Sequence, residues 1–396
     1  MPDMNAKQTA STLLEIIQEL IAEIHSQGHR LADFSLDSRL DQDLGLDSLA
    51  RVELFGRIET RFGVTLPERI LVESETPRDL LRSILGASTT AAQDWRREGA
   101  QINFDKVGFA PLAAATLVDA LQWHVDNHPD RKHIQFYQDV GDGESLTYAE
   151  LWHGAHRIAT GLQQLDLQPG DPVVIMLQPT SDYFFSFFGV QLAGGIPVPI
   201  YPAPSTSLIR ENLYRHISIL NNCQAVVLIT QPEAKQQAQL LKSQVDSLQH
   251  IVTSEDLGAF SGELVRPRLG SQDIAFLQYT SGSTGKPKGV ILTHANLMAN
   301  IRAMGKRVEI TAQDVFVSWL PLYHDMGLIG AWLGSLYFAA LLVLMPPLSF
   351  IARPERWLRA IHRYRGTASA SPNFGFELCL KRLLDESLEG LDLSSW

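Results

Sequence analysis

Two hydrophobic periodicities divide the chain. Through residues 11–85, apolar positions recur at the three-and-four spacing of amphipathic helices. The run Ser11-Thr-Leu-Leu-Glu-Ile-Ile-Gln-Glu-Leu-Ile-Ala-Glu-Ile-His predicts a first helix over 11–27. After a loop, Leu49–Phe62 predicts a second, opened by Ser48 with Asp47 as a suitable N-cap. A short turn at Leu66–Val72 and a last helix over Thr76–Leu85 complete four helices.

From Thr116 onward, apolar runs without alternation are separated by helical patterns. That is the mark of parallel strands covered on both faces. The predicted strands are Ile134–Asp139, Pro172–Leu177, Ile196–Ile200, Ala225–Thr230 and His250–Thr253. Helices are predicted over Leu117–Asn127, from Thr147 to Leu165, and from Tyr183 to the Gly194-Gly195 pair. Met326–Ala352 carries no charged residue and is long enough to span a bilayer. It follows His324-Asp325 directly, ends at Pro346-Pro347 and lacks flanking positive clusters, so it predicts a buried helix (Leu328–Phe338) and a buried strand (Ala340–Met345) instead. The small, polar run from Gly86 reads as a linker, giving domains at 1–88 and 113–396 joined by 89–112. No internal repeat or low-complexity tract is evident.

Composition changes this picture little. At 396 residues the chain exceeds one ordinary core. A net charge of −11 argues against nonspecific nucleic-acid binding. Two distant cysteines, Cys223 and Cys379, fit neither a disulfide framework nor a metal site and suit a reducing, cytoplasmic compartment. The N-terminus has no secretory pattern. No metal-ligating set is assigned.

Candidate chemistry begins at Tyr279-Thr-Ser-Gly-Ser-Thr-Gly-Lys-Pro-Lys-Gly289. Glycines let the backbone approach a ligand, and its N–H groups can form an anion-binding nest. Four hydroxyls (Thr280, Ser281, Ser283, Thr284) can donate to phosphate oxygens, and Lys286 and Lys288 can neutralise them. The spacing is not that of a Walker A loop, and both flanks look like strands. The run strongly resembles the phosphate loop of adenylate-forming enzymes: acyl-CoA synthetases, fatty acyl-AMP ligases and peptide-synthetase adenylation domains. By that resemblance Thr280, Ser281, Gly282, Ser283, Thr284, Gly285, Lys286 and Lys288 bind ATP phosphates, with Lys288 also catalytic.

Asp41-Gln-Asp-Leu-Gly-Leu-Asp-Ser-Leu49 resembles the attachment site of acyl and peptidyl carrier proteins, a resemblance covering about eighty residues. It implies 4′-phosphopantetheine on Ser48, installed by a phosphopantetheinyl transferase. Residues 1–88 hold fifteen acidic and nine basic side chains, which suits docking to basic patches and equally an ordinary solvated surface.

Two further stretches are similar to the acyl pocket of fatty acyl-AMP ligases. Ser318-Trp-Leu-Pro-Leu-Tyr-His-Asp-Met-Gly327 would bring Tyr323 and His324 to the substrate, with His324 near the carboxylate and α-phosphate. Thr367-Ala-Ser-Ala-Ser-Pro-Asn-Phe-Gly-Phe would contribute Asn373, Phe374 and Gly375. The Phe-Asp-x-Ser context that pairs with an amino-acid ammonium is not found, which favours a fatty acid. The family's further motifs are expected beyond Trp396, so the resemblance implies only the N-terminal part of the adenylate-forming α/β subdomain.

The resemblance as a whole implies a multidomain chain, an all-α four-helix carrier followed by that α/β subdomain. It would activate a fatty acid with ATP and Mg²⁺ and pass the acyl group to a phosphopantetheine thiol. A downstream polyketide or peptide synthase, or an acyltransferase, would follow. A carrier attached to a non-functional ligase remnant and an amino-acid-activating module remain the alternatives.

Overall fold

The computed structural model describes residues 6–24, 34–40, 43–46, 48–64, 66–67, 70, 74–87, 110–139, 141, 143–201, 206–281, 287–383 and 388–396. The chain divides into two compact units, Met1–Arg97 with Ile351–Pro354, and Glu98–Phe350 with Glu355–Trp396. The predicted linker lies almost wholly outside the described residues.

The first unit holds α1 (Ala6–Ile24), α2 (Ser48–Phe62) and α3 (Pro77–Gly86). Leu13, Ile17, Leu20 and Ile21 of α1 share a buried core with Leu54, Phe55 and Ile58 of α2 and Leu80 and Ile84 of α3. Arg57 on α2 grips Glu23 on α1 through two hydrogen bonds of 2.9 and 2.6 Å. Thr76 and Asp79 close the start of α3, with Asp79 accepting from the Thr76 amide at 3.0 Å and its hydroxyl at 2.8 Å. The predicted turn at 66–72 and the predicted cap Asp47 lie partly or wholly outside the described residues.

The second unit continues with α4 (Leu117–Asn127), β1 (Lys132–Phe136), β2 (Ser145–Thr147), α5 (Tyr148–Gln164), β3 (Pro172–Met176), α6 (Ser181–Leu192), β4 (Ile196–Pro199), α7 (Thr206–Cys223) and β5 (Val227–Thr230). Then come α8 (Pro232–Lys242), β6 (His250–Val252), α9 (Ser254–Gly258), β7 (Ile274–Ser281), β8 (Pro287–Thr293), α10 (His294–Val308) and β9 (Val315–Ser318). A π-helix (Met326–Leu333) leads into α11 (Gly334–Phe338), β10 (Leu341–Leu344), α12 (Pro347–Ala352), α13 (Glu355–Tyr364), β11 (Ala368–Ser369) and α14 (Asn373–Arg382). Helix starts follow local chemistry: Thr116 with Asp119, Thr147 with Glu150, Thr253 with Asp256 and Thr293 with Asn296 each form a capping box.

The strands form two sheets and a hairpin. One sheet has the order β11-β9-β10-β1-β2, parallel except for the edge strand β2. The other, β4-β3-β5-β6, is wholly parallel. Strands β7 and β8 pair antiparallel by themselves. Pleating explains the layers. Val173, Ile175, Val227 and Ile229 face one core with α5, α6 and the first sheet's Ile134, Leu342 and Leu344. Val174, Met176, Val198 and Leu228 face the opposite core with Ile219 and Leu220 of α7 and Leu241 of α8. So both faces of the second sheet are covered, as non-alternating apolar strands require.

The buried helix expected at Leu328–Phe338 forms, but it starts at Met326 as the wider π-helix and becomes α-helical only at Gly334. Gly327 lies too close to the Pro321 carbonyl to carry a Cβ, and Trp332 is fixed among α6 aromatics. The wider turn accommodates the residues between these two fixed points. Among the described residues no helix is long and apolar enough to cross a membrane.

Candidate functional site

Parallel sheets deliver loops at the carboxyl ends of their strands, and ligands of open α/β sheets bind there. Strand β9 ends at Ser318 and releases Trp319–Asp325; its parallel neighbour β11 ends at Ser369 and releases residues 370–375. The two predicted acyl segments therefore leave adjacent strand ends. They touch through Trp319: the Phe374 ring lies edge-on to it at 5.7 Å, and a Cβ on Gly375 would come within 2.7 Å of it. Gly375 is buried, whereas Asn373 and Phe374 are exposed. Trp319 also stacks on Phe350 at 4.0 Å.

The second sheet contributes the loop after β4. Tyr201 meets Tyr323 edge-on at 5.1 Å, joining the outlets of the two sheets. Around that pair lies a cavity of about 290 Å³ lined by Pro199, Ile200, Tyr201, Arg215, His216, Ile219, Tyr279 and Tyr323. Tyr279 belongs to β7, two residues before Ser281, and its hydroxyl donates to Asn222 Oδ1 on α7 at 2.5 Å. The wall is thus built from the turn end of the β7–β8 hairpin and from the residue preceding His324.

The electrostatics suit a protonated, hydrogen-bond-donating lining. Burial, followed by the neighbouring Tyr201, pushes the Tyr323 phenol up to about 12. Burial also raises Tyr201 and Tyr279, so all three hydroxyls keep their protons at neutral pH. His216 is pushed down to about 4, first by burial and then by the cation Arg215, and stays neutral.

Thr280 is exposed at the end of β7 and Lys288 is exposed on β8, paired across the hairpin. Gly282, Ser283, Thr284, Gly285 and Lys286 lie outside the described residues, as does the Ser281 side chain. His324 is exposed, with Nδ1 2.7 Å from Asp325 Oδ1, and not the boundary residue its apolar surroundings would suggest. Ser48 is the first residue of α2, in the first unit. Tyr201, Arg215 and His216 escaped the sequence reading. Their only signal was polarity beside an apolar strand, and nothing there announces convergence on Tyr323. Among the described residues no group of three or more His, Cys, Asp or Glu gathers to hold a metal.

Residues 121–396 match the family of AMP-binding enzymes, and residues 11–84 match the family named for the phosphopantetheine attachment site. A medium-chain-fatty-acid–acyl-carrier-protein ligase of Moorena producens is 35% identical over 288 residues, 71% of this chain and 48% of that protein. A ligase with the same name from Teredinibacter turnerae is 32% identical over 322 residues, 71% of this chain and 49% of that one. The crystal structure of a fatty acyl-adenylate ligase from L. pneumophila, in complex with acyl adenylate and pyrophosphate, superposes with a TM-score of 0.64. It is 32% identical and covers 74% of this chain and 50% of that one. The chain spans about half the length of the curated relatives it matches.

Proposed function

Because the chain belongs to the AMP-binding enzyme family, we propose that it activates a fatty acid as its acyl adenylate and delivers the acyl group to a phosphopantetheine thiol. The observation that carries this is the cavity. It joins Tyr279, near the turn end of the β7–β8 hairpin, to Tyr323, beside His324, at the carboxyl ends of both sheets. The relatives' names supply the substrate class: two are fatty-acid–carrier-protein ligases. Residues 1–88 serve as a four-helix carrier domain, 89–112 as linker, and 113–396 as the N-terminal part of the adenylate-forming domain. Cytoplasmic location, a phosphopantetheinyl transferase and a downstream synthase or acyltransferase are the partners and setting this implies.

In the proposed reaction a carboxylate oxygen attacks the α-phosphorus of ATP. The new acyl O–P bond replaces the bond to the β-phosphate oxygen, and pyrophosphate leaves. Thr280, Ser281, Ser283 and Thr284, with the amides of Gly282 and Gly285, hold the phosphates, while Lys286 and Lys288 offset the charge that builds on them. Asp325 accepts from Nδ1–H of His324, which leaves Nε2 to face the carboxylate and α-phosphate. Tyr323, Asn373, Phe374 and Gly375 border the acyl chain. Mg²⁺ would arrive with the nucleotide phosphates; among the described residues no group of three or more His, Cys, Asp or Glu gathers to hold it.

Ser48 fits phosphopantetheine attachment by its place. It opens a 15-residue helix, where a phosphodiester would meet the free amides and positive end of the dipole. Once attached, the group would supply the thiol to which the acyl chain is delivered.

The test measures fatty-acid-dependent exchange of labelled pyrophosphate into ATP by the whole chain, alongside amino acids. Exchange with fatty acids alone, reduced about a hundredfold in Lys288→Ala, is expected. Exchange with amino acids, or none with any acid, would overturn the reading. Intact mass after phosphopantetheinyl transferase treatment checks Ser48 separately.

A further inference from the structure

The segment bearing Tyr323 and His324 runs on into the π-helix, a rare backbone state that recurs at functional sites. Side chains from elsewhere hold it at both ends. At the front, the Tyr183 hydroxyl on α6 donates to the Leu322 carbonyl at 3.0 Å, one residue before Tyr323. At the rear, Trp332 Nε1 donates to His133 Nε2 at 3.0 Å, with both residues fully buried. The Trp332 ring is held edge-on by Phe184 and Phe187, one helical turn along from Tyr183. The carbonyls just beyond are taken as well: Tyr148 donates to Leu336, and Arg131 Nε donates to Ala339.

His133 is an odd choice for this place. An indole N–H can only donate, so His133 Nε2 must be an unprotonated acceptor and its proton sits on Nδ1. Among the described residues that buried Nδ1–H meets no hydrogen-bond partner. Stacking on Tyr148 at 4.9 Å needs only a flat ring, and a phenyl group would stack without stranding a donor. What the imidazole adds is an acceptor for Trp332.

We propose that His133 is a positioning residue. Its Nε2 fixes the azimuth of Trp332, this keeps Met326–Leu333 in the π register between its two anchors, and the register sets where Tyr323 and His324 stand at the cavity. Were the segment to tighten to an α-helix, each residue would shift around the axis by up to about 100°. Either Trp332 would leave His133 or the loop carrying His324 would be drawn inward. The last link rests on the proposed role of His324.

The test compares His133→Gln, whose amide oxygen can accept from Trp332, with His133→Leu, which fills the space without an acceptor. Amide hydrogen exchange of the 321–333 segment and the KM values for fatty acid and ATP are measured in the whole chain. The Leu variant is expected to exchange about tenfold faster in 326–333 and to show a KM for fatty acid raised about tenfold with that for ATP unchanged. The Gln variant is expected to restore both. Exchange in the Leu variant equal to the parent chain, or raised alike across the whole second unit, or not restored by Gln, would overturn the proposal. If His133→Leu does not fold, Trp332→Phe removes the donor while keeping an aromatic ring and is judged by the same outcomes. Should the parent chain make no acyl adenylate, the functional reading fails by itself, and the exchange comparison still decides whether His133 holds the register.

Discussion

The front and rear of the segment between Trp319 and Ala339 could hardly differ more. The rear is buried and tightly held. Trp332, Tyr148, His124 and His133 are fully buried, and the carbonyls of Leu336, Tyr337 and Ala339 each meet a side chain. The front is wet and open, with His324 and Asp325 exposed and Tyr323 lining a cavity. The difference teaches a division of labour. A rigid, over-determined rear lets a few exposed residues at the front be chosen for chemistry, since they contribute little to stability.

The strongest way to break the comparison is to hollow out the rear. Trp332→Ala removes a fully buried indole and is expected to cost about 3–5 kcal/mol, read as a lower urea midpoint for the second unit. A loss below about 1 kcal/mol would mean that the rear is not the rigid end.

Acid sharpens it next. Burial, with His128 and His133 nearby, pushes His124 down to about 2; burial pushes His133 to about 3, and burial and Arg131 push His128 to about 4. These folded-state values lie below the ordinary 6.5, so the unfolded chain takes up more protons in acid. Stability from the cluster is complete above pH 6.5 and is lost as pH falls below it, until about 4 for His128, 3 for His133 and 2 for His124, by up to about 1.4 kcal/mol per unit for each fully buried imidazole. Urea titrations between pH 7 and 4.5 are expected to show that slope, and His133→Gln is expected to lessen it. An identical slope in the variant would remove His133 from the cluster's account.

The smallest expected effect is at the front. His324→Ala should change stability by no more than about 0.5 kcal/mol, as exposed sites do, while lowering adenylate formation. A thermal shift as large as that of a core substitution would erase the contrast.

Much of the architecture was legible because its causes are local. Thr147 three residues before Glu150, or Thr116 before Asp119, marks a helix start wherever the chain goes. Val-Val-Ile at 173–175 and Val-Leu-Ile at 227–229 read as buried strands, and they pair in parallel. The helix beginning at Ser48 was legible in the same way. The histidine cluster was missed although its spacing is plain: His124 and His128 stand one turn apart, and His124 Nδ1 meets His128 Nε2 at 2.7 Å. That spacing is equally common on solvated helices, and burial at this site comes from Tyr148 and Tyr337, distant in sequence.

The sequence by itself determined the order of helices and strands, the two-part division of the chain and the run of glycines, hydroxyls and lysines at 279–289, since these rest on contacts a few residues apart and on side-chain polarity. Only the tertiary structure decided that the parallel strands split into two sheets, that Tyr201, Tyr279 and Tyr323 share one cavity, and that the apolar helix after His324 opens as a π-helix. Each of these depends on bringing together atoms more than forty residues apart, such as Trp332 and His133 or Tyr183 and Leu322, and no local periodicity encodes such a distance.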